Sequence, residues 1–323
     1  MEIVNNPFTS LTYVEEWMKY FQKGKSQFTI RPFNGIAFTK KNKLLPLYLN
    51  AGKYKSCGIS YTIEAEDDSK DYRGKVFLIY DIPSYIKPNE QNQALGIRKS
   101  NQYQGYGIRL KEFESLDDYL RLTLSSRTRK SIRSNIRKLE RNFDLNYLWY
   151  TNRITTQDFS LVFKRFYELI DLKYKNVSFS HADPEVKGWY RSLFFKLIND
   201  GKAAFFIVKN KDEMIAISFL YLSDNMCFSA ITGNSMDYQQ FGLGNLLMVK
   251  KIEWAILNGY EYYDLGKGSY NYKQSWSNHI YDFEYHVLYD KSDLLSSIFG
   301  KMIYLFYEMK QKLRLLKHKV SPY

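Results

Sequence analysis

The chain has 323 residues, 45% of them hydrophobic and 17% aromatic, which is enough apolar material for one large or two ordinary domains and excludes a disordered chain. A formal net charge of +13 suits anionic partners such as CoA, a nucleotide-linked sugar, tRNA or an acidic membrane surface, and equally a Lys-rich soluble surface. Cys57 and Cys227 alone make no disulfide framework and fit a reducing cytoplasm; of the four histidines only His279 and His286 lie near each other, and no zinc site is expected; no signal peptide and no apolar run of the ~20 residues that span a bilayer is expected.

In chain order, residues 13–21 predict a short amphipathic helix closed near Gly24. Strand-like runs follow at 28–30, 35–38, 44–49 and 76–80, separated by Asn-, Lys- and Gly-rich turns. The stretch 83–105 carries Pro, Asn, Gln and Gly and reads as a long loop. Ser115 is placed to cap a helix that opens with Leu116, Asp117 and Asp118. A second helix from Ser125 or Ser126 runs to Arg141. Ile132, Ile136 and Leu139 form its docking stripe, and basic residues cover the rest, read first as a solvated face and otherwise as a membrane-surface or tRNA-binding face.

Residues 159–174 and 185–199 are helical, the latter stopped by Asp200 and Gly201. Three strands follow as a meander, at 203–209, 214–222 and 226–232. After a glycine-bearing loop comes a helix over 243–257, then a strand at 260–265, a short helical piece near 270–276 and a last strand at 281–289. A long helix over 293–319 is aromatic in its first half (Phe299, Tyr304, Phe306, Tyr307) and basic at its end (Lys310, Lys312, Arg314, Lys317, Lys319). That arrangement reads either as a solvated helix docked on the body or as peripheral contact with an anionic membrane.

The loop before the 243–257 helix is Gln239, Gln240, Phe241, Gly242, Leu243 and Gly244. Glycines let a backbone approach phosphates, the helix adds its positive N-terminal end, and Asn245 adds a donor. Alone, such a hexapeptide reads as a plain glycine turn. Its setting, a meander before it and a helix and strand after it, raises its meaning.

That order, with Gln-x-x-Gly-x-Gly at that place, resembles the GNAT fold. Residues 262–268 (Tyr-Tyr-Asp-Leu-Gly-Lys-Gly) are followed by Tyr272, Lys273 and Trp276. Together with the basic segment 124–133 and the region around Trp17, they resemble the cellulose-biosynthesis-associated acetyltransferase-like family, related to Fem-type peptidyltransferases. The resemblance covers nearly the whole chain and is specific for fold and poorly specific for substrate. It implies an α/β protein of two GNAT-like mixed-sheet halves: a degenerate half without the cofactor loop (1–114), a helical connector (115–150), an acyl-CoA-binding half (151–290) and a C-terminal basic amphipathic helix (291–323).

The resemblance further implies acetyl-CoA or another acyl-CoA as donor and no metal. Ile231, Thr232, Gln239, Gln240, Phe241, Gly242, Leu243, Gly244 and Asn245 would hold the donor. The backbone of 229–232 would polarise its carbonyl. Tyr272 is the candidate acid, with Tyr270 its competitor; Lys273 would meet phosphate or the oxyanion, and Asp264 would act as base or bind the acceptor. Each also has an ordinary reading: Tyr272 and Trp276 as core aromatics, Lys273 as a surface charge, Asp264 as a turn residue. His181 reads as a solvated loop histidine, and His279 and His286 as structural. The activity implied is acyl transfer to an amine of an amino-sugar or cell-envelope precursor, in the cytoplasm. The alternatives are a Fem-like enzyme using aminoacyl-tRNA and a non-catalytic partner of a polysaccharide machine.

Overall fold

The computed structural model describes residues 1–65, 69–87, 92–173, 183–268 and 271–320. His181 and Tyr270 lie outside the described residues. The elements are α1 (Leu11–Phe21), β1 (Gln27–Phe28), β2 (Phe33–Asn34), β3 (Phe38–Lys40), β4 (Leu47–Asn50), β5 (Thr62–Ile63), β6 (Val76–Pro83) and β7 (Leu95–Arg109). Next come α2 (Leu116–Thr123), α3 (Ser126–Asn142), β8 (Leu145–Tyr150), α4 (Thr156–Lys173), α5 (Pro184–Asn199), β9 (Ala203–Asn210), β10 (Glu213–Leu222) and β11 (Met226–Asn234). The chain continues with α6 (Leu243–Leu257), β12 (Tyr262–Lys267), α7 (Asn271–Trp276), β13 (His279–Asp290) and α8 (Leu294–Val320). It divides into two compact units, 1–105 with 281–323, and 106–280. The fold is α/β.

In the unit formed by 1–105 and 281–323, β3 pairs antiparallel with β4, β4 parallel with β6, and β6 antiparallel with β13. The loop expected over 83–105 gives way to strand from Leu95 onward, where β7 begins. Its glycines mislead as turn signals, because they make room for rings. A Cβ at Gly96 would lie 2.4 Å from the Tyr289 ring, and one at Gly105 would lie 2.4 Å from the Tyr281 ring. Such positions admit only glycine in an extended chain.

Helix α8 packs on this unit. Tyr307 is buried against Tyr80 and Tyr285, with the Tyr80 and Tyr307 hydroxyls 2.5 Å apart, and Phe299, Ile303 and Tyr304 close over the same cluster. Three of the four aromatics expected to meet a membrane therefore face protein. A different stripe faces outward: Ile298, Met302, Leu305, Phe306, Met309, Leu313 and Leu316 are all exposed. Lys301, Lys310, Lys312 and Arg314 share the helix with them. No described helix is long and apolar enough to cross a membrane.

In the unit formed by 106–280 the strand order is β12-β11-β10-β9-β8. Every pair is antiparallel except β11 with β12, which is parallel. Alternation along the strands sends neighbours to opposite faces. Phe205 joins Phe159, Phe166, Phe194 and Phe219 under α4 and α5. Phe206 stacks on Trp149, which stacks on Trp254 of α6. Burying each of these phenylalanine rings contributes about 1.5–3 kcal/mol. Strand β8 (Leu-Asn-Tyr-Leu-Trp-Tyr), half-exposed at the sheet edge, falls in the stretch read from the sequence as a helical connector, although its run of apolar and aromatic residues is itself a strand signal.

Helices α2 and α3 belong to this unit. Ser115 accepts from the Asp118 amide and Ser125 from the Thr128 amide, as N-caps do. Ile132 and Leu139 are buried in the core that includes Leu246 and Ile252 of α6, with Ile136 packed against it. The docking stripe read from the sequence is thus the one used.

Candidate active site

Strands β11 and β12 pair over only three residues, ending at Phe228 opposite Asp264. Beyond that point β11 remains bonded to β10, and its register slips there. Ile231 faces Phe219 and Ser229 faces Leu220, so Ala230 is one residue too many. A bulge of this kind leaves the extra residue outside the ladder and bends the strand. It falls within the segment expected to supply an N–H to a carbonyl oxygen.

Past the last paired residues lies a cleft of about 380 Å³. Strand β11 contributes Ser229, Thr232 and Asn234, and β12 contributes Leu265. Helix α6 lends Gly244, Asn245, Met248 and Lys251, α7 lends Tyr272 and Trp276, and α4 lends Lys173. A cleft of about 450 Å³ in the other unit, lined by Asn6, Asn34, Ser60 and Tyr61 among others, is larger but holds none of these groups.

The loop into α6 is a 3₁₀ turn over Met236–Phe241, capped by Ser235 and closed by Gly242. Gly242 sits at φ +77, a left-handed value that favours glycine, and its missing Cβ would lie 2.9 Å from the Asn135 side chain of α3. Gly244 is different: nothing lies within 4 Å of where its Cβ would be. Asn245 and Leu246 donate to the Gly242 carbonyl. Leu243 and Gly244, as first residues of the helix, have amides with no acceptor a turn earlier. Open amides, the positive helix end and space at Gly244 fit an anionic phosphate group. Gln239 and Gln240 are exposed on the turn and Phe241 is half-buried. Phe241 packs on Phe143 and thereby ties the turn to the end of α3. Ile231 is buried in β11, while Thr232 reaches the cleft.

Basic side chains flank this corner. Lys130, Arg133, Ser134, Arg137, Lys138 and Arg141 line a groove of about 420 Å³ along α3.

The structure separates the three candidate catalytic side chains. Tyr272 lines the cleft and is 53% exposed. Lys273 is only 7% exposed, and its Nζ donates to the Lys267 carbonyl at 2.5 Å, bracing the end of β12. Asp264 is fully buried; its Oδ1 accepts from the Gly266 amide at 2.6 Å and holds the turn at which Gly266 takes φ +77. Trp276 is anchored from α2, where the Tyr119 hydroxyl donates to its carbonyl at 2.5 Å. His279 meets the Tyr262 hydroxyl at 3.0 Å, and burial, with Arg109 nearby, holds its pKa below the usual value. His286 lies between the Tyr61 hydroxyl and Glu284.

Two lysines that the sequence reading did not single out enter the cleft. Lys251 is 3% exposed, and burial and the charge of Lys173 push its pKa down to about 8. Lys173, also lowered by burial, donates to Asn234 Oδ1 at 3.0 Å and lies 3.4 Å from the Thr232 carbonyl oxygen. The usable signal was their helical position: Lys251 stands one turn after Leu247, on the side of α6 that the sheet covers.

Comparison with known proteins bears on this geometry. Residues 126–274, from the start of α3 into α7, match the family model described as an acetyltransferase (GNAT) domain. No curated protein matches the sequence. Among solved structures, FemX shares 12% identity at a TM-score of 0.56, covering 86% of this chain and 91% of that one. A conserved protein of unknown function from Bacteroides thetaiotaomicron shares 12% identity at 0.53, covering 88% and 92%. The C-terminal domain of a putative lysylphosphatidylglycerol synthetase from Agrobacterium fabrum shares 11% at 0.51, covering 90% and 95%. At such identities the likeness is one of fold. Residues 126–274 thus match the GNAT acetyltransferase domain in sequence, and the chain has the fold of GNAT-like proteins.

Proposed function

We propose that the protein is an N-acyltransferase that moves an acyl group from acetyl-CoA or another acyl-CoA to an amine. The observation that carries this reading is the parting of β11 from β12 beside the Ala230 bulge, at a cleft that the start of α6 also lines. A phosphate-bearing thioester supplies the activated acyl carbon. The open amides at the start of α6 bind the phosphates, and the bulged backbone of β11 meets the carbonyl oxygen as charge develops there. The acceptor amine attacks the carbonyl carbon and gives up a proton to water at the open cleft, the carbon–sulfur bond breaks, and Tyr272 protonates the departing thiolate and is reprotonated from the same water. Lys273 and Asp264 keep the end of β12 in place for this geometry.

The acceptor in this reading is an amine of an amino-sugar or cell-envelope precursor, as for the cellulose-biosynthesis-associated branch. The enzyme works in the cytoplasm, with α8 as its contact to an anionic membrane. The test is incubation of purified protein with acetyl-CoA and a panel of amines, read by mass spectrometry and by thermal shift. Acetyl-CoA raising the melting temperature and an amine gaining an acyl group support the reading. No shift with any acyl-CoA refutes it.

A second reading has one observation in its favour. The basic groove on α3 suits a longer polyanion than CoA, and aminoacyl-tRNA is a donor of that kind. Gel-shift with bulk tRNA at physiological salt decides between them. Salt-sensitive binding lost in Arg133→Ala/Arg137→Ala would favour the tRNA donor.

A further inference from the structure

A buried ammonium group without a carboxylate is costly to keep. Lys251 is such a group. It is 3% exposed, it lines the cleft, and neither a hydrogen bond nor an ion pair ties it to any described residue. Lys173 enters the same cleft from α4, held by Asn234. Among the described residues, the charged and titratable groups around Lys251 are few. Lys173 of α4 repels it, and the buried Cys227 thiol of β11 faces it. Asp264 of β12 acts on Cys227 and is itself engaged by the Gly266 amide, and Tyr272 of α7 lines the cleft. The two ammonium groups therefore enter one concave space without a carboxylate among its lining residues.

We infer that Lys251 and Lys173 seat an anionic oxygen group of the substrate, a carboxylate or phosphate carried either by the acceptor amine or by the far end of the acyl chain. An incoming anion gains charge-assisted hydrogen bonds from the buried Lys251 ammonium, and it relieves the repulsion between the lysines. A neutral substrate of the same shape leaves the buried Lys251 ammonium uncompensated. The pair thus selects charged over neutral substrates in the way a desolvated polar site rejects an analogue that cannot satisfy it. This inference rests on the reading of the cleft as the acyl-transfer site.

The experiment uses matched probes on the full chain, read by thermal shift in saturating CoA. The acceptor pairs are glucosamine 6-phosphate with glucosamine, and β-alanine with β-alaninamide. The donor pair, succinyl-CoA with acetyl-CoA, is read without added CoA. The charged member of at least one pair should raise the melting temperature of the wild type by about 2 °C or more beyond its neutral partner. That difference should vanish in Lys251→Met and shrink in Lys173→Gln. Separation in an acceptor pair places the anion on the acceptor, and separation in the donor pair places it on the acyl chain. No separation in any pair overturns the inference, as does a separation that survives both substitutions. Equal slowing of charged and neutral acceptors by Lys251→Met also overturns it, since that is the behaviour of a general base. Both variants should keep the shift given by acetyl-CoA itself. Its absence in wild type would instead remove the acyl-CoA reading.

Discussion

Replacing Gly244 with Asp should move stability and ligand binding in opposite directions. The position is the second residue of α6, its Cβ would meet nothing within 4 Å, and its φ is not in the left-handed range. A side chain there costs no clash, and losing glycine's backbone freedom contributes up to about 0.5–1 kcal/mol in favour of the folded state. A carboxylate in the first turn adds about 0.3–1 kcal/mol through the helix dipole. The ligand-free variant should therefore melt at the wild-type temperature or a few degrees above it. A phosphate arriving at the same amides meets a filled space and a like charge. At a hundredfold excess over Kd, a ligand stabilises by about 2.7 kcal/mol. At roughly 2–4 °C per kcal/mol, the wild type should rise by about 5–10 °C with acetyl-CoA. The Asp variant should rise by less than about 1 °C, and Gly244→Ala should fall between the two. The assay is thermal unfolding with and without acetyl-CoA. An equal rise in wild type and Gly244→Asp would refute the placement of phosphate at this helix start. Gly242→Ala is the contrasting control, because its φ of +77 and the Asn135 contact make it destabilising by itself.

Tyr272→Phe removes a hydroxyl from a half-exposed ring lining the cleft, so turnover should fall at least tenfold with an unchanged melting temperature; unchanged turnover would return Tyr272 to a packing role. Lys273→Ala strips the buried donor from the Lys267 carbonyl, so it should lower the melting temperature as well as activity, by about 1–3 kcal/mol for the orphaned acceptor. For Lys251 the folded pKa of about 8 lies below the unfolded value, so the unfolded chain binds more protons between about pH 8 and 10.5 and this group's contribution to stability rises with pH through that window. Lys251→Met should accordingly be more stable than wild type at pH 7, with the advantage shrinking toward pH 10; a constant difference across that range would contradict a depressed pKa. On α8, Met302→Gln/Phe306→Gln/Met309→Gln alters only exposed side chains, so the fold should hold while co-sedimentation with anionic vesicles falls at least tenfold and weakens with salt. Equal sedimentation of the variant and wild type would remove the membrane contact.

Where structure depends on local chemistry, the sequence could be read. The caps at Ser115 and Ser125, the meander turns near Lys211 and Asp224, and the span of α6 all follow from residues within a few positions of each other. Features set by a distant partner could not be read. The bulge at Ala230 exists only in the register of β11 on β10. The glycines of β7 signal a turn until Tyr281 and Tyr289 are known to lie over them. The aromatics of α8 look like a membrane face until Tyr80 and Tyr285 are placed beneath Tyr307.

Lys250 and Lys251 show the limit most sharply. They are adjacent and chemically identical. Helix geometry turns them about 100° apart, so they cannot share an environment. Lys250 pairs with Glu253 at 3.0 Å and stays partly exposed, whereas Lys251 is buried at the cleft. Which of the two enters depends on how α6 is rotated against the sheet. That rotation is set by Leu246, Ile252 and Ala255, all buried, and by Trp254 stacked on Trp149 of β8. A one-residue change in that packing would bring the other lysine inward and leave Lys251 in water. The charge in the cleft is therefore a property of the packing of α6, and substitutions at Trp149 or Trp254 should reach the cleft through that rotation without touching any group that lines it.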